Sequence, residues 1–198
     1  MGEHKVIYQN PMQMEVNLWR ARKTCVIAGR GTGKSSLLSD HKYYCMTTIP
    51  VVTDFLLGNS KRQLLGITLP TMLKELVSKW GLVEGRDFTR GRAPKSAGFE
   101  MPLYEPQTWS NVIHFRNGFC CCPISAATSS AANGYNFVSG SIEEAKFIDP
   151  GWYADSVKPA IRGAISNHPG WRRGGAGRDG NPMYVSEWSV SDNGVTPN

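Results

Sequence analysis

A short polar loop near the start of the chain has the residue types that bind phosphate. The apolar run Cys25 to Ala28 has the length and β-branched content of a buried strand, and Ser36 opens a segment that reads as a helix. Glycines between them let backbone N–H groups converge on phosphate oxygens, and the helix N-terminus adds partial positive charge. This is a P-loop (Walker A) pattern, with Ala28 at the first position, where glycine is usual. The residues predicted to bind phosphate are Gly29, Arg30, Gly31, Thr32, Gly33, Lys34, Ser35 and Ser36.

Two side chains of this loop have distinct expected roles. The Lys34 ammonium would reach the β- and γ-phosphates of a nucleotide, and the Ser35 hydroxyl would be a ligand of Mg²⁺. The Gly-Lys-Ser spacing and the strand–loop–helix order favour this interpretation over a merely tight connection between a strand and a helix. We therefore predict that ATP and Mg²⁺ bind here.

Hydrolysis of a bound nucleotide requires carboxylates, and the sequence offers one pair at the end of a plausible strand. The segment Phe137 to Ala145 reads as a strand that carries Glu143 and Glu144 near its end. We predict that Glu143 acts on the Mg²⁺ side, usually through water, and that Glu144 is the catalytic base that polarises the attacking water. The alternative is an acidic pair at the start of a helix, where the helix dipole favours negative charge.

A glutamine before the P-loop is a candidate for contact with the base of the nucleotide. A primary amide donates and accepts at once, as the edge of adenine requires. Gln13, which follows Pro11, is the better candidate and Gln9 is the second. The alternative is a surface glutamine on an amphipathic helix.

The surrounding pattern predicts the elements that would position these residues. A helix is expected from Lys34 to about Met46, a buried strand over Gln63 to Thr68, and a helix from Met72 to Trp80. This order of elements opens a parallel α/β sheet. Alternating residues around Asn117-Gly118 predict a β-hairpin, and a last strand is expected to end at Ser191.

The bulk properties narrow the class of protein. The 198 residues suit one ordinary α/β domain, and the net charge of +6 fits a polyanionic partner or simple solubility. The five cysteines show no disulfide framework or metal-ligand spacing. No signal peptide or membrane span is expected. The basic cluster Arg90, Arg92 and Lys95 fits either a loop that touches nucleic acid or a neighbouring subunit, or a solvated loop.

Several of these motifs occur in one order along the chain: Gln13, the P-loop, the hairpin, Ala132-Asn133-Gly134, and the run Glu143 to Phe147. Together they resemble the ATPase domain of the terminase large subunits of tailed bacteriophages. The resemblance implies a RecA-like P-loop fold with an additional strand, a mostly parallel sheet flanked by helices and an inserted β-hairpin. It also implies ATP hydrolysis that drives double-stranded DNA into a procapsid. The implied partners are DNA, the portal protein, the small terminase subunit and a ring of identical subunits.

The resemblance also implies roles for individual residues. Arg30 would contact the phosphates or sense hydrolysis, and Ser189 or Ser191 would be the polar sensor of a coupling motif. Three departures stand out. Glu143 replaces the usual Asp, and Asn133 replaces an arginine that serves the neighbouring subunit's ATP in many relatives, for which Arg162 is a weak substitute. The nuclease domain that normally follows is expected to be absent.

The expected organisation is a single ATPase domain over residues 1–198, with an adenine-side segment (1–22), a core (23–191) and a tail (192–198). The expected location is the host cytoplasm, and transiently the portal of the procapsid. Two alternatives remain open: a nucleotide- or DNA-binding remnant without turnover, and another helicase-like ATPase.

Overall fold

The computed structural model describes residues 6–19, 23–29, 31–128, 132–161 and 186–191. Within them, the strands are β1 (Lys23–Ile27), β2 (Thr53–Gly58), β3 (Phe88–Arg90), β4 (Ile113–Phe115), β5 (Cys120–Ser125), β6 (Phe137–Glu143) and β7 (Ser186–Ser191). They form one seven-stranded sheet at the centre of the molecule, with the order β1-β7-β6-β2-β5-β4-β3.

The pairing of the strands confirms the predicted fold class. Strands β1, β7, β6, β2 and β5 pair in parallel, whereas β4 pairs antiparallel with both β5 and β3. The β4–β5 pair is the predicted hairpin. Its turn contains Gly118 at φ 78°, a left-handed conformation that glycine adopts without steric cost.

Helices cover the sheet on the face where the P-loop helix lies. Helix α2 (Lys34–Thr48) packs against α4 (Leu69–Ser78), and between them and the sheet lies a core that includes Leu38, Leu56 and Val138. A second core, with Phe55 and Phe137, covers the opposite face. The α-helical segments are α1 (Pro11–Trp19), α2 (Lys34–Thr48), α3 (Lys61–Gln63), α4 (Leu69–Ser78) and α5 (Pro150–Trp152).

The prediction of a strand over Gln63 to Thr68 is wrong. Ser60 caps a helix here, because its hydroxyl accepts a hydrogen bond from the Gln63 N–H at 3.2 Å. The helix continues through a π-helical segment, Leu64–Thr68, directly into α4. Leu64 and Thr68 are buried whereas Gly66 and Ile67 are exposed, which is the spacing of one helical face.

The second strand of the parallel sheet is instead β2, from the segment with Phe55-Leu56-Leu57. All six residues of β2 are buried, because the strand lies between β5 and β6 with cores on both faces. Strand β1, which the sequence predicted to be buried, is more exposed than expected. It lies at the edge of the described sheet, and of its apolar residues Val26 is buried whereas Cys25 and Ile27 are exposed.

Strand β6 is poor in large apolar side chains for two structural reasons. A Cβ atom on Gly140 would lie 2.0 Å from the Phe55 ring, so the ring occupies the space that a side chain would need. Ser139 is fully buried and donates a hydrogen bond to the Asp54 carboxylate. The small residues of β6 therefore make room for an aromatic ring and satisfy a buried charge.

Gly140→Ala is expected to lower the free energy of unfolding by about 3 kcal/mol, because overpacking a close-packed core forces strain on its neighbours. The measurement is urea unfolding followed by circular dichroism. Gly66→Ala is the matched control, since a Cβ atom there meets nothing within 4 Å. It is expected to be neutral or slightly stabilising. Adding Phe55→Leu to Gly140→Ala is expected to recover part of the loss; equal stability of both glycine variants would contradict the packing argument.

Two arginines of the basic cluster are paired with acidic side chains. Arg90 and Arg92 form exposed ion pairs with Glu84 and Glu105, both at 3.2 Å. The charge that the cluster offers to a polyanion is therefore partly neutralised.

All five cysteines are free and four are buried, as expected for core thiols. Among the described residues, no helix has the length and apolar character needed to cross a membrane.

Candidate active site

One cavity brings the two predicted halves of the site together. It has a volume of about 680 Å³ and lies where β1 and β6 end and α2 begins. Parallel strands present their carboxyl ends at the same edge of a sheet, which is why residues so far apart in sequence meet here. The lining residues are Gly31, Gly33, Lys34, Ser35, Ser36, Ile67, Thr71, Glu75, Glu143 and Glu144.

The P-loop has the backbone that a phosphate site needs. Gly31 and Gly33 have φ of 77° and 85°, which favours glycine at both positions. Gly33 is the N-cap residue of α2 and, as a glycine, has no side chain that could cap the helix. The Lys34 Nζ donates to the carbonyl oxygens of Ala28 at 3.0 Å and Gly29 at 2.6 Å. The ammonium group thus lies folded against the loop, on the wall of the cavity.

Gln13 lies beneath the P-loop and is 7% exposed. Its Nε2 donates to the Gly33 carbonyl at 3.1 Å, and its Oε1 accepts from the Asn10 N–H at 3.0 Å. The adenine contact predicted for Gln13 stays a prediction. Gln9, the second candidate, precedes α1 and contacts α2 instead, where its Nε2 donates to Asp40 at 3.1 Å.

Glu143 has a partner that the sequence did not indicate. The Thr68 hydroxyl donates a hydrogen bond to its Oε2 atom. Thr68 ends the π-helical segment, and such segments often occur at functional sites. The sequence predicted a strand here, so it did not indicate that a helix brings Thr68 into contact with β6. A second residue that the sequence analysis missed is Glu75, which lines the cavity and accepts from the Ser36 hydroxyl at 3.3 Å.

Glu144 follows β6 in a strained backbone conformation. Its φ of 53° and ψ of 48° place a residue with a side chain in the left-handed region, which costs about 1–2 kcal/mol. Backbone strain of this kind clusters at functional sites. Its Oε2 lies 3.7 Å from Lys146 Nζ, and the side chain is 20% exposed. The turn therefore sends the chain away from the sheet just after Glu143 while Glu144 still lines the cavity.

The remaining predicted residues are placed in part. The backbone of β7 runs between β1 and β6, with Ser189 opposite both Cys25 and Ile142, so the predicted coupling strand separates the two halves of the site. Asn133 is exposed. Arg30 and Arg162 lie outside the described residues, and their roles stay predictions.

The donor set of the cavity suits Mg²⁺. The lining includes two serine hydroxyls and three carboxylates, which are hard oxygen ligands that this ion prefers together with water and phosphate oxygens. Ser35 and Glu143 are the residues that would hold it. When bound, the ion would neutralise charge on the phosphates.

No family model and no curated protein sequence matches the chain. Solved structures do. The ATPase domain of the Thermus phage P74-26 large terminase matches with a TM-score of 0.58 at 13% identity, over 96% of this chain and 67% of that one. An arginine-to-alanine variant of that domain matches with a TM-score of 0.59 at 12% identity and the same coverage. The large terminase of a thermophilic bacteriophage matches with a TM-score of 0.60 at 11% identity, over 93% of this chain and 39% of that one.

The chain has the fold of a terminase ATPase domain. This confirms the fold predicted from the ordered motifs.

Proposed function

We propose that this chain is an ATP-hydrolysing motor domain of the phage terminase type, which drives double-stranded DNA into a procapsid. The observation that carries the proposal is the cavity that joins a P-loop to a carboxylate pair at the end of β6. A phosphate-binding loop alone binds nucleotide, and the carboxylates add the groups that hydrolysis requires.

The positions of the side chains support the roles proposed for Lys34, Glu143 and Glu144, whereas those proposed for Gln13 and Arg30 rest on the sequence. Lys34 would exchange its two carbonyl partners for phosphate oxygens, which are stronger acceptors for an ammonium group. Glu144 would take the proton of the attacking water. Glu143, positioned by Thr68, would face the metal ion. Gln13 would contact adenine, and Arg30 would contact the phosphates.

The proposed partners are DNA, the portal protein, the small terminase subunit and other subunits of the same chain in a ring. The proposed location is the host cytoplasm.

The test is steady-state ATP hydrolysis by the whole chain with Mg²⁺, with and without DNA and portal protein. Lys34→Ala is expected to weaken ATP binding, measured by calorimetry, by about 10- to 100-fold, because a charged hydrogen-bond donor to phosphate is lost. The matched control is Lys74→Ala, since Lys74 is an exposed lysine on α4 and is not among the residues that line the cavity. Absence of Mg²⁺-dependent turnover in the wild type under all these conditions would contradict the proposal.

A non-hydrolysing nucleotide-binding domain is the second candidate. The observation that favours it is the exposed Asn133, at the position where many terminase large subunits carry an arginine that serves a neighbouring subunit. ATP binding measured by calorimetry, without turnover even when DNA and portal are present, would support this candidate over the motor.

A further inference from the structure

The start of α1 and the P-loop are joined by side-chain amides. Asn10 precedes α1, and its Oδ1 accepts from the Gln13 N–H at 2.9 Å, while the Gln13 Oε1 accepts from the Asn10 N–H at 3.0 Å. This reciprocal pair has the arrangement of a capping box, which satisfies two N–H groups at a helix N-terminus. The acceptor atoms of both side chains are therefore used on α1 itself.

The donor atoms of the same two side chains are used on the P-loop. The Asn10 Nδ2 donates to the Thr32 carbonyl at 2.8 Å, and the Gln13 Nε2 donates to the Gly33 carbonyl at 3.1 Å. The contact is close, because a Cβ atom on Gly33 would lie 2.4 Å from the Gln13 Nε2. We call these two residues, with their four hydrogen bonds, the amide clasp.

The amide clasp has a consequence for the groups that would hold phosphate. In a planar trans peptide the carbonyl and the following N–H point in opposite directions. Fixing the Thr32 carbonyl fixes the direction of the Gly33 N–H, and fixing the Gly33 carbonyl fixes that of the Lys34 N–H. The Gly33 carbonyl is also held by the N–H groups of Ser36 at 3.1 Å and Leu37 at 3.3 Å.

We propose that Asn10 and Gln13 are positioning residues that orient the Gly33 and Lys34 N–H groups toward bound phosphate. The proposal rests on the proposed nucleotide binding and deepens it. Gln13 would then raise the affinity for ATP partly by holding the loop, and this effect would not depend on the nucleotide base. Asn10, in the segment before α1, would support phosphate binding without contacting phosphate itself.

Inorganic tripolyphosphate tests this proposal, because it offers phosphates without a base. The key variant is Asn10→Ser. A serine hydroxyl still caps α1 but is too short to reach the Thr32 carbonyl, and the substitution adds no charge. Asn17→Ser is the matched control: Asn17 lies on the same helix and donates to Asp40 at 3.0 Å rather than to the loop. Binding of Mg²⁺-ATP, Mg²⁺-GTP and Mg²⁺-tripolyphosphate is measured by calorimetry, and folding by thermal unfolding.

Asn10→Ser is expected to weaken the binding of all three ligands by the same factor, about three- to tenfold, the effect of one hydrogen bond. Asn17→Ser is expected to leave all three affinities unchanged. Gln13→Met, which is neutral and of similar length, is expected to weaken tripolyphosphate binding as well as ATP binding.

Three results would overturn the proposal. Wild-type affinity of Asn10→Ser for tripolyphosphate would remove the role of Asn10. A Gln13→Met variant that loses affinity for ATP but keeps it for tripolyphosphate would show that Gln13 acts on the base and that its contact with the loop does not contribute to phosphate binding. A wild-type protein that binds none of the three ligands would refute the proposed function together with the clasp, which separates that failure from the first two.

Discussion

Glu144→Gln is expected to lower the turnover number for ATP by at least about 100-fold while ATP still binds, because the amide cannot take the proton of the attacking water. The side chain keeps its length and the backbone keeps its left-handed turn, so the shape of the cavity is preserved. Steady-state hydrolysis at saturating ATP measures the turnover number, and calorimetry measures ATP binding.

Glu75→Gln is the matched control for this variant. Glu75 lines the same cavity, but it accepts a hydrogen bond from the Ser36 hydroxyl and belongs to α4 rather than to the turn after β6. It is expected to retain most of the turnover. If Glu75→Gln abolishes hydrolysis and Glu144→Gln does not, the base is Glu75 and the assignment of Glu144 is wrong.

Lys42→Met is expected to lower the free energy of unfolding by about 3–5 kcal/mol, because it leaves the Asp54 carboxylate buried without its cation. Lys42 on α2 and Asp54 on β2 form an ion pair in which both side chains are fully buried. Ser139 on β6 donates to the same carboxylate, and the Lys42 Nζ also donates to the Phe55 carbonyl at 2.8 Å. The pair therefore connects the P-loop helix to two central strands.

A combined variant separates loss of the pair from the presence of an unpaired charge. Lys42→Met with Asp54→Leu and Ser139→Ala replaces the whole polar group by apolar atoms and is expected to recover most of the stability. Arg92→Met removes one partner of the exposed pair with Glu105 and is expected to change stability little. Chemical unfolding of all three variants provides the comparison. A combined variant as unstable as Lys42→Met would contradict the argument.

The parts of the site that are local in sequence could be predicted, because consecutive residues carry the functional groups. The P-loop and the pair Glu143-Glu144 are of this kind, and the cavity contains both. Thr68 could not be predicted, because its partner lies on β6 and its own segment reads equally well as a strand by apolar content. The amide clasp was hidden for a related reason: Asn10 shows its function only when α1 lies beside the loop.

The fold, like the site, could be predicted where its signals are local in sequence. The hairpin and α2 follow from turn and helix signals near them in sequence. The order of strands depends on long-range pairing, and the insertion of β7 between β1 and β6 has no local signal. The edge position of β1 was missed for the same reason, since its composition is that of a buried strand.

The place of β7 in the sheet also sets an order of assembly. Within the described residues, β1 pairs with β7 alone, and Lys23 lies opposite Glu187. Strand β2 pairs with both β5 and β6, and these pairings join residues that are much closer in sequence. Contacts between distant residues form slowly, because the intervening chain must first be brought together. During synthesis the N-terminus emerges from the ribosome first, so the nucleotide-binding loop is made early. The sheet that supports this loop is completed only when β7 pairs with β1, among the last steps of folding.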